Sequence, residues 1–184
     1  MSTRYRTHSV LRERISAGCG PGDYRSVDSL VRGRLIVLCG LPGSGKTTLA
    51  VALEARGAVR FTPDEWVLQL GLHGASDDLR HRINLLALGV GERAAAAGAT
   101  VVLDLGFWQK EHRDATRTRA RELGVAVELR FLDVPLDELL RRVRERNAHV
   151  HAPWQRIEEG DLRTWATCLE PPTPEEMALY DTAW

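Results

Sequence analysis

Residues 40–47 carry the pattern whose chemistry is easiest to read. The segment Gly40-Leu41-Pro42-Gly43-Ser44-Gly45-Lys46-Thr47 fits G-x-x-x-x-G-K-[ST] in full. Its glycines allow the backbone to curl until several N–H groups point at one phosphate. Lys46 can then reach the β- and γ-phosphates, and the Thr47 hydroxyl can be a ligand of Mg²⁺. The segment therefore predicts a nucleotide site, without indicating what receives a phosphoryl group.

Two acidic residues follow predicted strands, where ligands of open α/β sheets bind. Asp64 lies in Phe61-Thr62-Pro63-Asp64-Glu65-Trp66, and we predict that it takes the proton of an acceptor hydroxyl. The alternative is that Asp64 caps a helix, because Pro63-Asp64-Glu65 is also a good helix start. Asp104 closes an apolar strand, and we predict that it holds Mg²⁺ through water or contacts the substrate. Its alternative role is to tie down the next loop.

Arginines and aromatic residues complete the candidate site. Arg142 and Arg146 are four residues apart and share a helix face, so they could close over the nucleotide as part of a lid at about 141–160. A solvated basic helix end is the alternative. Trp66 and Trp108 flank the two acids and could wall an acceptor pocket, or simply pack in the core. Arg113 could face an anionic acceptor, although an amphipathic helix surface would explain it equally well.

The elements that position these residues alternate between strands and helices. Leu35–Cys39 is continuously apolar, as is typical of a parallel strand that is covered on both faces. Three further strands are predicted at 59–61, 100–105 and 125–132. The predicted helices are 46–55, 77–97, 110–123, 135–146 and 154–165. This alternation predicts an α/β fold with a parallel sheet and right-handed crossovers.

Composition sets the class of protein. The chain has 184 residues, of which 43% are hydrophobic and 27% charged, as expected for one globular domain. Basic and acidic residues number 25 each, so the net charge of zero argues against a nucleic-acid-coating protein. We find no apolar run of the roughly 18 residues that span a bilayer. Three scattered cysteines favour the cytoplasm. Residues 1–33 are predicted to be an extension preceding a domain at 34–184.

Four segments together resemble one group of P-loop kinases: Gly40–Thr48, Phe61–Trp66, Val101–Trp108 and Leu139–Asn147. The group includes the kinase domain of polynucleotide kinase, zeta toxin, chloramphenicol phosphotransferase and many AAA-type ATP-binding proteins. The resemblance implies a three-layer sandwich with a five-stranded parallel sheet, helices on both faces and a helical lid. It also implies that ATP and Mg²⁺ bind at Gly40–Thr48, that Asp64 is the base, and that Arg142 and Arg146 are lid arginines.

The leading expectation is thus a kinase that moves the γ-phosphate of ATP to a hydroxyl of a small molecule, with an antibiotic or a nucleoside-like compound as candidates. A second reading is a kinase of RNA or DNA 5′ ends, against which the zero net charge counts. A third is a nucleotide-binding regulatory protein. No membrane partner is expected, and the protein is expected to be a monomer or a homodimer.

Overall fold

The computed structural model describes residues 33–72, 74–149 and 156–182. All of them lie within one unit, Val31–Trp184. Except for Gly33, the predicted extension at 1–33 lies outside the described residues, so the domain boundary stays a prediction. Within the described residues, no helix is both long and apolar enough to span a bilayer.

Four parallel strands form the sheet. They are β1 (Arg34–Cys39), β2 (Val59–Phe61), β3 (Thr100–Gly106) and β4 (Ala126–Phe131), in the spatial order β2-β3-β1-β4. Leu35 of β1 lies opposite Val101 of β3 on one side and opposite Val127 of β4 on the other. Every predicted strand is therefore confirmed to within a residue or two, and so is the parallel pairing.

Seven helices connect or follow the strands within the described residues: α1 (Lys46–Glu54), α2 (Pro63–Gln69), α3 (Asp77–Ala96), α4 (Lys110–Glu122), α5 (Leu136–His149), α6 (Glu159–Cys168) and α7 (Pro174–Met177). The short helix α7 was not predicted, and α2 was predicted only through the alternative helix start at Pro63, although each begins with a proline in its first turn. Helix α6 begins five residues later than predicted, and residues 154 and 155 of that prediction lie outside the described residues.

The sheet lies between two helical layers, because its strands are buried on both faces. Leu35, Val37 and Cys39 of β1 join the main core cluster with the small residues of α3 and α4. Ile36 and Leu38 point to the opposite face and pack with Ala50 of α1. The continuous apolar run of β1 thus has the physical cause predicted for it, and the three-layer α/β architecture is confirmed.

Helix α3 approaches the sheet closely because its inner face is made of small residues. Ala87, Gly91 and Ala95 are spaced four apart and are all buried. A Cβ atom added to Gly91 would lie 2.9 Å from Cδ2 of Leu103 on β3. Asn84 lies seven residues before Gly91, so the same face of α3, continued toward the start of the helix, reaches the carboxyl end of β3, where the candidate site lies.

The described sheet has four strands and not the five that were expected. The outer edge of β4 is met at Val127 by Asp181 instead. The Asp181 carboxylate accepts a hydrogen bond of 2.7 Å from the Val127 N–H, and the Asp181 N–H donates one of 2.8 Å to the Val127 carbonyl. Residue 181 thereby satisfies the two backbone groups that a neighbouring strand would otherwise pair.

Candidate active site

A cavity of about 1000 Å³ opens at the carboxyl ends of the strands. Its walls come from the β1–α1 loop, from α2 and α3, from the end of β3 and from α5. The lining residues that matter for chemistry are Gly43, Lys46, Thr47, Thr48, Asp64, Arg80, Asn84, Asp104, Trp108, Arg142, Arg146 and Arg156. The structure therefore brings most of the sequence-predicted site residues together in one place.

The phosphate-binding loop has the backbone shape that the glycines predict. Gly40, Gly43 and Gly45 all have positive φ angles, at 149°, 84° and 97°. A Cβ atom at Gly43 would lie 3.3 Å from Cγ2 of Val143, so a larger residue would press on α5. The buried Ser44 Oγ has no hydrogen-bond partner among the described residues. Because α1 begins at Lys46, its N-terminus adds partial positive charge beside this cradle, which suits a phosphate.

Lys46 is folded back over the loop. Its Nζ donates a hydrogen bond of 2.8 Å to the carbonyl oxygen of Leu41. Burial lowers the pKa of Lys46, while the nearby charges of Asp104 and Asp64 act in the opposite direction. The carbonyl bond is one that a phosphate oxygen can replace, because an ammonium group has three donors and rotates freely.

Thr47 and Asp104, the two residues predicted to hold Mg²⁺, lie in direct contact. The Thr47 hydroxyl donates a hydrogen bond of 2.7 Å to Oδ2 of Asp104. Burial raises the pKa of Asp104, and the Thr47 hydrogen bond and the Lys46 charge oppose that shift. No group of three or more His, Cys, Asp or Glu side chains that could hold a metal occurs in the part of the chain that the structure describes. Two oxygens fit a Mg²⁺ ion that also takes phosphate oxygens and waters as ligands.

Asp64 lies in the first turn of α2 and is not its N-cap. Thr62 occupies the cap position, and Pro63 begins the helix. The Asp64 side chain is 90% exposed and lies 3.7 Å from the guanidinium of Arg80 on α3. Its charge also acts on Lys46 and on Asp104, so all three groups share one electrostatic environment. The predicted helix start at Pro63-Asp64-Glu65 is thus confirmed, the N-cap role of Asp64 is wrong, and Asp64 lines the cavity.

Both arginines predicted to belong to a lid line the cavity from α5. Arg142 donates a hydrogen bond of 3.3 Å to the carbonyl oxygen of Gly43 and one of 2.7 Å to Glu138. Residues 141–149 of the predicted lid are the second half of α5, and residues 150–155 lie outside the described chain. Arg142 on α5 therefore contacts the phosphate-binding loop directly.

The two tryptophans behave differently. Trp108 lines the cavity, and its indole Nε1 donates a hydrogen bond of 2.9 Å to the carbonyl oxygen of Gly40. The ring of Trp66 instead packs edge-on against Phe61 at 5.8 Å, against the main core cluster. Val67 and Leu68 take its place on the cavity wall. The prediction that Trp66 walls an acceptor pocket is therefore wrong.

Arg113 does not face an acceptor. Its side chain is fully buried, with both Nε and Nη2 bonded to the Glu176 carboxylate at 2.6 and 2.9 Å. Its Nη1 donates to the carbonyl oxygens of Phe107 and Trp108 at 3.0 and 2.9 Å. Arg113 thus holds the β3–α4 loop against α7, which corrects the predicted substrate contact.

Three site residues were not recognised in the sequence: Arg80, Asn84 and Arg156. Arg80 and Asn84 are four residues apart in α3, so they share a helix face. That spacing was visible, but which face of α3 is turned to the site depends on how its small residues pack on the sheet. Arg156 precedes α6 and is not helical, although the sequence places it in the predicted helix at 154–165.

Comparisons with known proteins agree with this geometry. A nucleotide-binding protein of Syntrophotalea carbinolica (strain DSM 2380 / NBRC 103641 / GraBd1) is 36% identical over 115 residues, or 62% of this chain. The chain spans 35% of the length of that curated relative. A gluconokinase from Sinorhizobium meliloti 1021 has 26% identity and a TM-score of 0.56, with 79% of each chain covered. The Pnkp1/Rnl/Hen1 RNA repair complex contains a chain with 22% identity and a TM-score of 0.63, over 81% of this chain and 46% of that one.

Fold and site together define a nucleotide-binding protein of the P-loop kinase type. The chain belongs to the AAA domain family AAA_33, whose family model matches residues 35–172. The resemblance to P-loop kinases is thereby confirmed. The match ends within the loop between α6 and α7, so α7 lies beyond the part of the chain that the family model covers.

Proposed function

We propose that this protein is a kinase that transfers the γ-phosphoryl group of ATP to a hydroxyl group of a small molecule. One observation carries the proposal: Asp64 lines the same cavity as the phosphate-binding loop, Lys46 and the Thr47–Asp104 pair. A loop that grips phosphate needs no exposed carboxylate opposite it for binding alone. A transfer reaction does need one, to take the acceptor proton.

In the proposed reaction the acceptor oxygen forms a bond to the γ-phosphorus while the bond from that phosphorus to the β–γ bridging oxygen breaks. ADP leaves, and the hydroxyl proton passes to the Asp64 carboxylate. The Arg80 guanidinium lies 3.7 Å from Asp64 and would orient the carboxylate. Lys46 and Arg142 would bind phosphate oxygens, since both already donate to carbonyl oxygens of the loop.

Thr47 and Asp104 would hold Mg²⁺, which when bound offsets negative charge on the β- and γ-phosphates. Arg146 and Arg156 line the same cavity and would add positive charge where the transferred group carries negative charge. The acceptor is proposed to be a small molecule, because the zero net charge of the chain counts against a polynucleotide acceptor.

Asp64→Asn tests the proposed base. We expect phosphoryl transfer from radiolabelled ATP to fall by roughly 10²-fold or more, because the amide cannot accept the proton. Binding of a fluorescent ATP analogue should be unchanged. Glu65→Gln is the matched control, since Glu65 is the next residue of α2 but pairs with Arg60 at 2.7 Å, outside the cavity lining. Equal rates for Asp64→Asn and the unaltered protein would contradict the assignment.

The same assay separates the other readings. Transfer to a 5′-hydroxyl oligonucleotide, with salt-sensitive binding, would favour a kinase of nucleic-acid ends over one of small molecules. ATP binding without transfer to any acceptor would favour a regulatory protein, in which nucleotide binding itself is the signal. Failure to bind any nucleotide would contradict all three readings.

A further inference from the structure

A second cavity adjoins the candidate active site and has no role in the proposed phosphoryl transfer. It encloses about 600 Å³ between α3 and α4 at the carboxyl end of β3, and we call it the α3–α4 pocket. Three residues line both this pocket and the larger cavity, namely Asn84, Leu105 and Trp108. The two cavities therefore meet at the end of the strand that carries Asp104.

Helix α3 forms a continuous wall from one cavity to the other. Arg80 lies beside Asp64 in the larger cavity, Asn84 borders both, and Leu88 lies in the α3–α4 pocket. These positions follow a spacing of four residues, which keeps them on one helix face. A molecule that lay along this face would extend from the neighbourhood of Asp64 into the α3–α4 pocket.

The lining of the α3–α4 pocket is mainly apolar. Leu85, Leu88, Phe107 and Ala115 contribute carbon surface, while His81, Gln109 and His112 add a few polar groups. Leu85 is 54% exposed although it borders a concave surface. Predominantly apolar walls with few polar groups, and a volume within about 300–1000 Å³, are typical of sites for small organic molecules.

The charges of the α3–α4 pocket are already compensated. Its lining contains one arginine, Arg119, and one carboxylate, Glu92, which lie 3.9 Å apart. Arg119 also bonds Glu122 at 2.9 Å. An anionic molecule would have to compete with both carboxylates for Arg119, so the pocket suits a neutral occupant.

The backbone at the end of this pocket is strained and firmly held. Phe107 has a φ of 43°, the one positive φ outside glycine among the described residues. Its carbonyl oxygen accepts hydrogen bonds from Arg113 at 3.0 Å and from the Cys39 thiol at 3.3 Å. Burial raises the pKa of Cys39 to about 11, so the thiol stays protonated and able to donate. Such strain is typical of segments shaped for a ligand.

We propose that the α3–α4 pocket binds the body of the phosphoryl acceptor, and that this acceptor is a neutral small alcohol with an apolar, ring-bearing body, since the aromatic residues Phe107 and Trp108 both line the pocket. Its hydroxyl group would pass Asn84 and Trp108 to reach Asp64. The inference rests on the proposed kinase function and adds the class of acceptor to it. A sugar acid would leave its hydroxyls unpaired against Leu85 and Leu88, and a polynucleotide would find its phosphates without a free arginine in the pocket.

Two adjacent leucines of α3 provide the test. Leu85 and Leu86 are similarly exposed, at 54% and 59%, but Leu85 lines the α3–α4 pocket and Leu86 does not. Binding of 3-phenyl-1-propanol, tryptophol, glycerol and gluconate to the full chain would be measured by ligand-observed NMR with a non-hydrolysable ATP analogue present. We expect the ring-bearing alcohols to bind, and Leu85→Asp to weaken their binding by about tenfold or more. Leu86→Asp should leave it unchanged.

The outcomes separate this inference from the proposed function. Binding of glycerol or gluconate in preference to the ring-bearing alcohols, equal effects of the two leucine variants, or no binding of any ring-bearing alcohol would each overturn the inference. If a ring-bearing alcohol binds in a Leu85-dependent way but is not phosphorylated by ATP, the pocket binds such molecules but its assignment as the acceptor site is contradicted. If transfer occurs to glycerol alone, the kinase reaction stands and the pocket assignment is contradicted.

Discussion

The indole N–H of Trp108 donates a hydrogen bond to the carbonyl oxygen of Gly40 across 2.9 Å. This bond joins the β3–α4 loop to the first residue of the phosphate-binding loop. The same indole leaves little space above Gly106, where an added Cβ atom would lie 3.0 Å from Nε1. Because Trp108 also lines both cavities, it connects the phosphate side of the site with the proposed acceptor side.

Trp108→Phe should loosen the phosphate-binding loop. The substitution keeps an aromatic ring near Trp165, whose ring centroid lies 6.0 Å away, but removes the donor to Gly40. We expect the free energy of unfolding to fall by about 1 kcal/mol, the net worth of one hydrogen bond, and ATP affinity to fall with it. Urea unfolding and nucleotide titration measure the two effects. Trp165→Phe is the control, and an equal loss of ATP affinity there would contradict the role of the indole bond.

The buried pair of Arg113 and Glu176 should be a large contributor to stability. Glu176→Gln leaves the guanidinium buried with only part of its charge compensated, which typically costs about 3–5 kcal/mol. Chemical denaturation measures this loss. The control is Arg119→Met on α4, the helix that carries Arg113. The ion pair of Arg119 with Glu122 is exposed and worth at most about 1 kcal/mol. Similar losses for the two variants would show that the buried pair has no special structural role.

Asp104→Asn should stabilise the protein in the absence of nucleotide. Burial raises the pKa of Asp104 above its ordinary 3.8, so the fold disfavours the ionised carboxylate. That penalty is present above the raised pKa and disappears as the pH falls below 3.8. We therefore expect a higher unfolding temperature for Asp104→Asn at neutral pH, and no difference in strong acid. Mg²⁺-dependent ATP binding should be lost at the same time.

Asp114→Asn is the matched comparison for Asp104→Asn, because the pKa of Asp114 is shifted in the opposite direction. The hydrogen bond from Lys110 lowers the pKa of Asp114 below its ordinary 3.8. The ionised carboxylate then stabilises the fold at neutral pH and ceases to do so as the pH falls through the lowered pKa. Asp114→Asn should therefore lower the unfolding temperature at neutral pH. A shift of the same sign for both variants would contradict this account.

Lys46→Met should abolish high-affinity ATP binding. The chain contains two lysines, Lys46 and Lys110, so each serves as the control for the other. Lys46 lines the phosphate cavity, whereas Lys110 pairs with Asp114 on α4 and lies outside the lining of both cavities. Titration with a fluorescent ATP analogue should show a loss of about tenfold or more for Lys46→Met, as for a lost charge-assisted bond. Binding by Lys110→Met should be unchanged.

The sequence predicts those parts of the molecule that depend on local pattern. A continuous apolar run marks β1, shorter apolar stretches mark the other strands, and the motif at 40–47 correctly places a tight loop before α1. Which face of a long helix is turned to the site is harder to predict, because this orientation depends on packing partners that are distant in the chain. Arg142 and Arg113 look alike in the sequence, since each lies on an arginine-rich helix. One reaches Gly43 of the loop and the other is buried against Glu176, 63 residues further on.

The four-stranded sheet shows the same limit. A fifth strand was expected from the resemblance. The segment near Asp181 mixes apolar and polar residues, so its pattern does not decide whether it forms a strand. The hydrogen bonds of Asp181 to both backbone groups of Val127 depend on the path that the chain takes after α7, which local sequence pattern does not reveal. Arg80 and Asn84 were missed for a related reason: they continue the buried face of Ala87, Gly91 and Ala95 toward the start of α3, and the sequence does not show that this face reaches the site.

The position of Asp181 on β4 has a consequence for self-association. An outer strand with bare N–H and C=O groups is a template on which another polypeptide can add a strand and begin an aggregate. At Val127 those groups already have partners, and the carboxylate brings a negative charge to the rim. Asp181 thus hinders intermolecular β-pairing at Val127. Removal of residues from 178 onward should therefore make the protein prone to aggregation.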